Sequence, residues 1–141
     1  MTVGYRVSVE QDDDSYMVTF PDFPEAVTFG DSRGTALAHA VDAIQTAIMG
    51  YMTDRRDIPL PSNSLDAQVA LPLLAMLKIE LYRAMRARGW RKADLARALD
   101  KDPRQIDRLI DLRYATPVAQ IEAALKACGR IAVVDTQSLA A

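Results

Sequence analysis

The sequence predicts an α+β chain in which a small antiparallel sheet with one covering helix is followed by an all-helical unit. Apolar residues alternate at a period of two near the N-terminus, and the period lengthens to that of a helix after Ser32. A proline-rich stretch then separates this region from a second run of helical periodicity.

Val3, Tyr5, Val7 and Val9 alternate with Gly4, Arg6, Ser8 and Glu10, the pattern of a half-buried strand. Gln11 to Ser15 supplies turn formers and Tyr16, Val18 and Phe20 resume the alternation, so a hairpin is expected with Asp12, Asp13 and Asp14 at a solvated tip. Pro21 and Pro24 bracket Asp22 and Phe23 and predict a corner that ends the second strand. Ala26 to Phe29 then forms a short third strand, closed by Gly30 and Asp31. Leu37, Ala40, Val41, Ile44, Ile48 and Tyr51 fall at helical spacing, with Asp31 or Ser32 as N-cap, and this helix covers the sheet. Pro59 and Pro61 exclude regular helix over Ile58 to Ser64, which reads as the linker. Gln68 to Leu71 offers a fourth strand before Pro72 opens the next helix. The expected division is therefore 1–65 and 72–135, with a strand at 67–71 completing the first part.

The net charge of −2 hides an asymmetry. Met1 to Leu65 carries 4 basic and 10 acidic residues, whereas Asp66 to Ala141 carries 13 basic and 9 acidic. A basic half can approach phosphates, and an acidic half is suited to a basic partner. The single cysteine, Cys128, allows no intrachain disulfide and is expected to pack as a small apolar group. With no signal-peptide pattern and no apolar run long enough to span a bilayer, the expected location is the cytoplasm, with no membrane partner.

In the second half, Leu74, Leu77, Leu81 and Met85, with Ile79 and Tyr82, predict a helix that ends at Gly89. Trp90 to Leu99 gives a shorter one, anchored by Leu95 and Leu99, in which Ala96 permits close approach of a neighbour. Asp100-Lys101-Asp102 is the turn, and Pro103 begins a third helix capped by Asp102, with Ile106, Leu109 and Ile110 inward. Asp100 occupies the turn position usually held by glycine, which aspartate tolerates. These residues define a helix-turn-helix whose second helix would enter the major groove of DNA. Arg104, Gln105, Asp107, Arg108 and Asp111 face outward, and the first four are candidate DNA contacts; Arg104, Gln105 and Arg108 suit base edges, while Arg91, Lys92, Lys101 and Arg113 suit phosphates. The simpler reading, a solvated face on which Asp107 and Asp111 pair with nearby arginines, remains open at this point. A last helix, Pro117 to Cys128 capped by Thr116, and a strand at Ile131 to Val134 complete the expected unit.

Tyr5-Arg6-Val7-Ser8-Val9-Glu10, Tyr16-Met17-Val18-Thr19-Phe20-Pro21-Asp22-Phe23-Pro24-Glu25, Val27-Thr28-Phe29-Gly30-Asp31, Ala36-Leu37, Ala40, Asp42-Ala43 and Ile58-Pro59-Leu60-Pro61-Ser62, in this order, resemble HicB-type antitoxins. Lys78, Leu81-Tyr82, Leu95-Ala96 and Arg108-Leu109-Ile110-Asp111 match that family's helix-turn-helix subgroup. The resemblance implies a partial RNase H-like module that inhibits a HicA-type mRNA-cleaving toxin, joined to a DNA-binding domain that represses the shared operon. The chain departs from the pattern at Glu25, where glycine is common after the second proline, and at Gly34, where the first helical turn often has an acidic residue. Asp22, Phe23, Glu25 and Asp31 are the candidate toxin contacts, although Asp22 could serve the corner and Phe23 the core.

A metal-dependent nuclease would need carboxylates converging from strand interiors, and strand one offers none, so neither an enzyme nor a metal or other cofactor is expected. His39 falls on the helix face away from Leu37, Val41 and Ile44 and reads as a solvated residue. A free-standing transcriptional regulator, whose first module dimerises or senses a ligand, is the alternative. In either case, paired DNA half-sites predict a homodimer or larger homo-oligomer bound to operator DNA.

Overall fold

A computed structural model describes residues 4–62 and 67–138. Val3, expected at the start of the first strand, and Asn63, Ser64 and Leu65, expected to end the linker and the first domain, lie outside the described residues. The chain divides into two compact units, Met1–Met76 and Leu77–Ala141.

The first unit holds β1 (Tyr5–Arg6), β2 (Ser8–Asp12), β3 (Ser15–Phe20), β4 (Phe23–Gly30), α1 (Arg33–Thr53) and β5 (Gln68–Val69). Strands β2, β3 and β4 form an antiparallel sheet in that order, and β1 pairs separately with β5, also antiparallel. The first strand is thus broken at Val7, whose N–H donates to Ala67 O at 2.9 Å. The fourth strand expected from Gln68 to Leu71 is present but shortened to Gln68–Val69.

The third strand begins earlier than the prolines suggested. Phe20 pairs with Phe23 and Thr19 with Val27, so Pro24, Glu25 and Ala26 form a bulge within β4 instead of lying in a corner before it. Proline is admissible there because β4 is an edge strand, where a missing N–H costs no ladder bond.

Helix α1 is capped by Ser32, whose Oγ accepts from Thr35 N at 3.1 Å. Its buried stripe is Ala36, Ala40, Ile44, Ile48 and Tyr51, and Leu37 and Val41 are only half-buried at its border. Gly30 is what lets β4 and α1 meet, because a Cβ there would stand 2.3 Å from Ala36 N. Phe23 is completely buried between the rings of Tyr5 and Tyr51, at centroid distances of 4.9 and 5.4 Å in edge-to-face geometry. The segment after α1 is held to the same core: Ile58 is buried, Tyr5 Oη donates to Pro59 O at 2.6 Å, and Ser62 donates to the Asp22 carboxylate.

Helix α2 (Leu73–Ala87) leads into the second unit, which contains α3 (Lys92–Leu99), α4 (Pro103–Ile110) and α5 (Val118–Ala127). Gly89, at φ +70°, follows α2 as expected, and Trp90 N closes the turn on Met85 O at 2.8 Å. Leu95, Ala96, Ile106, Leu109, Ile121, Ala124 and Leu125 are buried, and Cys128 packs with them.

Two expectations at the C-terminus are corrected. Thr116 does not cap α5; its hydroxyl donates to Arg108 O at 3.0 Å, and Pro117 occupies the cap position. Ile131 to Val134 is not a strand: Ile131, Val133 and Val134 are 72, 86 and 64% exposed, and the second unit has no strand among the described residues to pair with them. No helix among the described residues is long and apolar enough to cross a membrane.

Candidate functional site

The charge asymmetry of the sequence directs attention to one surface on each unit. On the second, α3 and α4 are joined by Asp100, Lys101 and Asp102. Asp100 adopts the left-handed conformation, φ 53° and ψ 52°, that aspartate was expected to tolerate, and Lys101 N donates to Ala96 O at 2.9 Å. Asp102 caps α4: its Oδ1 accepts from Arg104 N at 2.8 Å, while Gln105 Oε1 accepts from Asp102 N at 3.2 Å. The Arg104 side chain also donates to Asp102 at 3.3 Å, and these bonds hold the Asp102 carboxyl below its usual pKa. Proline at the first turn needs no hydrogen-bond partner, so the start of α4 is well defined.

All eight side chains nominated for DNA contact, Arg91, Lys92, Lys101, Arg104, Gln105, Asp107, Arg108 and Arg113, are exposed. They are not equally disposed. Lys92 and Asp107 form an ion pair of 2.6 Å across the two helices, which occupies both. Gln105 and Arg104 contribute to the cap, but on exposed side chains whose present bonds are worth little against water. Arg108 lies 5.3 Å from the Tyr114 ring centroid, and neither it nor Lys101 has a carboxylate partner among the described residues. Asp111, half-buried, accepts from Arg113 N at 3.0 Å and shapes the turn after α4.

One residue that the sequence marks only by its match to the family pattern has a structural role that the sequence did not disclose. Lys78 on α2 is completely buried, and its ammonium donates to Arg108 O at 2.9 Å and to Asp111 O and Tyr114 O at 2.6 Å each. It therefore closes the carboxyl end of α4, where carbonyls lack helical donors and a cation is favoured. Burial pushes its pKa below the ordinary lysine value, opposed by the Asp111 charge. The signal was a lysine between Ala75 and Ile79 on the buried side of α2.

On the first unit, the four candidate partner contacts separate into two pairs. Phe23 is core and presents no surface, and Asp22 is committed to Ser62 N at 3.1 Å and Ser62 Oγ at 2.6 Å, with Arg6 at 3.9 Å. Both therefore shape the strand, which is the corner-and-core alternative left open by the sequence. Glu25 and Asp31 are exposed near the two ends of β4. Between them Val27 and Phe29 are 47 and 48% exposed, an apolar patch the sequence reading did not single out. The Glu25 carboxylate accepts from the Tyr51 hydroxyl, which together with burial raises the Tyr51 pKa above 10.0. His39 is exposed as expected, yet its Nδ1 lies 2.8 Å from Phe29 O. Among the described residues no group of three or more His, Cys, Asp or Glu is placed to hold a metal ion.

The chain thus consists of an acidic sheet-and-helix unit and a small helical unit with an exposed, arginine-bearing helix. Residues 4–80 match the family described as HicB-like antitoxins of bacterial toxin-antitoxin systems. Antitoxin HicB 2 of Photorhabdus laumondii is 41% identical over 126 residues, covering 89% of this chain and 91% of that protein. Antitoxin HicB of Escherichia coli is 38% identical over 117 residues, 82% and 85% of the two chains, and Antitoxin HicB of Pseudomonas fluorescens is 34% identical over 129 residues, 89% and 88%. The chain belongs to the HicB-like antitoxin family.

Proposed function

We propose that this antitoxin binds and inhibits a HicA-type mRNA-cleaving toxin through a first module of partial RNase H-like form, and represses its own operon through α3 and α4 acting as a helix-turn-helix. The observation that carries the DNA-binding half is the exposed face of α4. Its start is fixed by Asp102 and Pro103 and its end by Lys78, so Arg104, Gln105 and Arg108 project from a helix held at both termini. Preorganisation of this kind is what a base-reading helix requires, because a good bidentate contact is worth about 1–3 kcal/mol only if it is not spent on ordering the helix. Lys101 and Arg91, with Lys92 and Arg113 beside them, supply phosphate contacts. Two half-sites about one helical turn apart call for two copies, so the working form is at least a homodimer in the cytoplasm.

For the toxin-binding half, the acidic excess of the first half and the exposed Glu25 and Asp31 suit the basic surface an RNA-cleaving protein needs. Membership of an antitoxin family disfavours a free-standing regulator. The test is co-expression with the product of the neighbouring open reading frame. The proposal expects a stable complex, rescued growth and binding of the complex or the free chain to the operon's promoter. Failure to bind that product would remove the toxin-binding half, and failure to bind promoter DNA the repressor half.

A further inference from the structure

We propose that the free edge of β4 accepts an extended segment of the basic toxin as an added strand, an inference that rests on the toxin-binding reading above. The argument begins at the hairpin tip. Asp12 pairs with Ser15 across a two-residue turn, Asp13-Asp14, with Asp13 at φ 51°. The pair that closes such a turn exchanges both its hydrogen bonds, and the pattern then alternates along the ladder. Met17 and Thr19 therefore direct their backbone groups to β2, and Val18 directs its groups to Thr28 of β4. Val27 and Phe29, the partners of Thr19 and Met17, must point theirs away from the sheet. The contact of His39 Nδ1 with Phe29 O, 2.8 Å, confirms this direction independently.

A row of outward backbone groups is ordinarily protected by lysine, proline or a covering element. Val27 to Phe29 has neither residue, and no strand lies beyond β4 among the described residues. Phe29 O is held by the exposed His39 side chain, which an added strand displaces. A groove of about 550 Å³ runs along this edge, floored by Ala26 and Thr28 and walled by the small side chains of Ala43 and Ala47 on α1. The apolar side chains of Val27 and Phe29 and the backbone edge together fit an extended chain, with main-chain bonds giving affinity and alternate side chains giving specificity.

Charge selects the occupant. Glu25 and Asp42 line the groove and Asp31 stands just past the end of the strand, so the incoming segment gains from lysine or arginine on either side of apolar residues. A second copy of this chain is a poorer fit: the antiparallel register that matches Val27 with Phe29 sets Glu25 against Asp31, and like charges across a ladder repel.

Hydrogen exchange resolved at single amides tests the proposal on the full-length chain, alone and with the co-expressed product of the neighbouring open reading frame. The expected result is that the Val27 and Phe29 amides exchange rapidly in the free chain and slow by at least about 100-fold in the complex, while Thr28 is protected in both. Val27→Pro removes one outward N–H without touching the β3 ladder, and Glu25→Lys with Asp31→Lys reverses the flanking charge; each should weaken the complex at least about tenfold. If Val27→Pro does not fold, the exchange data on the natural chain decide. A complex that leaves both amides in fast exchange overturns the proposal, as does protection that arises in the free chain on raising its concentration, which would mark a second copy. If the natural chain forms no complex at all, the toxin-binding reading has failed and this inference with it.

Discussion

Replacing Lys78 by methionine tests whether the end of α4 is held as the geometry indicates. Methionine keeps most of the volume and removes three hydrogen bonds from a charged donor, to Arg108 O, Asp111 O and Tyr114 O. None of these carbonyls is orphaned, because each retains a second donor: Thr116 Oγ1 at 3.0 Å, Tyr114 N at 3.1 Å and Thr116 N at 2.9 Å respectively. The lost bonds amount to roughly 5–9 kcal/mol at about 1.5–3 kcal/mol each, and most of this is offset by no longer burying an ammonium, which costs several kcal/mol. The net expectation is a loss of about 1–3 kcal/mol. Thr116→Val alone removes one bond and costs about 1 kcal/mol, since Arg108 O keeps Lys78. In the double variant Arg108 O loses both donors, which adds about 1–2 kcal/mol beyond the sum of the single changes. Urea unfolding of the four proteins at neutral pH measures the cycle, and promoter affinity measured alongside should fall with Lys78→Met because the last turn of α4 carries Arg108. Additivity within about 0.5 kcal/mol, or an unimpaired Lys78→Met protein, would refute the reasoning.

Three further outcomes follow from the same geometry. Arg104→Ala, Gln105→Ala and Arg108→Ala together should abolish discrimination between promoter and unrelated DNA in fluorescence anisotropy, whereas unchanged discrimination would remove α4 as the reading helix. Lys101→Ala should weaken binding to every sequence and lower the slope of log affinity against log salt by about one, without changing base preference; a change in preference would contradict its placement at a phosphate. Burial raises the Cys128 thiol above its ordinary 9.0, with Arg88 opposing, so the folded chain keeps this proton after the unfolded chain has lost it. Its stabilising contribution is therefore complete below pH 9.0 and declines as pH rises through the folded value. The stability of the natural chain relative to Cys128→Ala should fall above that pH, and a constant difference across the range would contradict the burial argument.

What could be read from the sequence was mostly local. Ser32, Gly89, Asp100 and the Asp102-Pro103 cap each act through neighbouring backbone groups, and each stands where its chemistry requires. Readings that depended on distant partners fared less well. Phe23 could have pointed either way until Tyr5 and Tyr51 closed around it, and Asp22 was indistinguishable from a surface carboxylate until Ser62 came to it. The proline at position 24 marked a corner only if β4 were an interior strand, and as an edge strand it absorbs the residue in a bulge. Ile131 to Val134 has the composition of a strand without a strand to pair with. The role of Lys78, noted in the sequence only for its match to the family pattern, was hidden for a related reason: a cation in an apolar stripe makes sense only once three carbonyls from beyond residue 100 are brought to it.

The division of labour between the two units is the central claim, and one experiment addresses it directly. Cells carrying the neighbouring gene and a reporter driven by the operon's promoter are supplied with the Arg104→Ala, Gln105→Ala, Arg108→Ala chain. The account predicts growth at the rate given by the natural chain together with full derepression of the reporter. Loss of both protection and repression, or repression that persists, would contradict it.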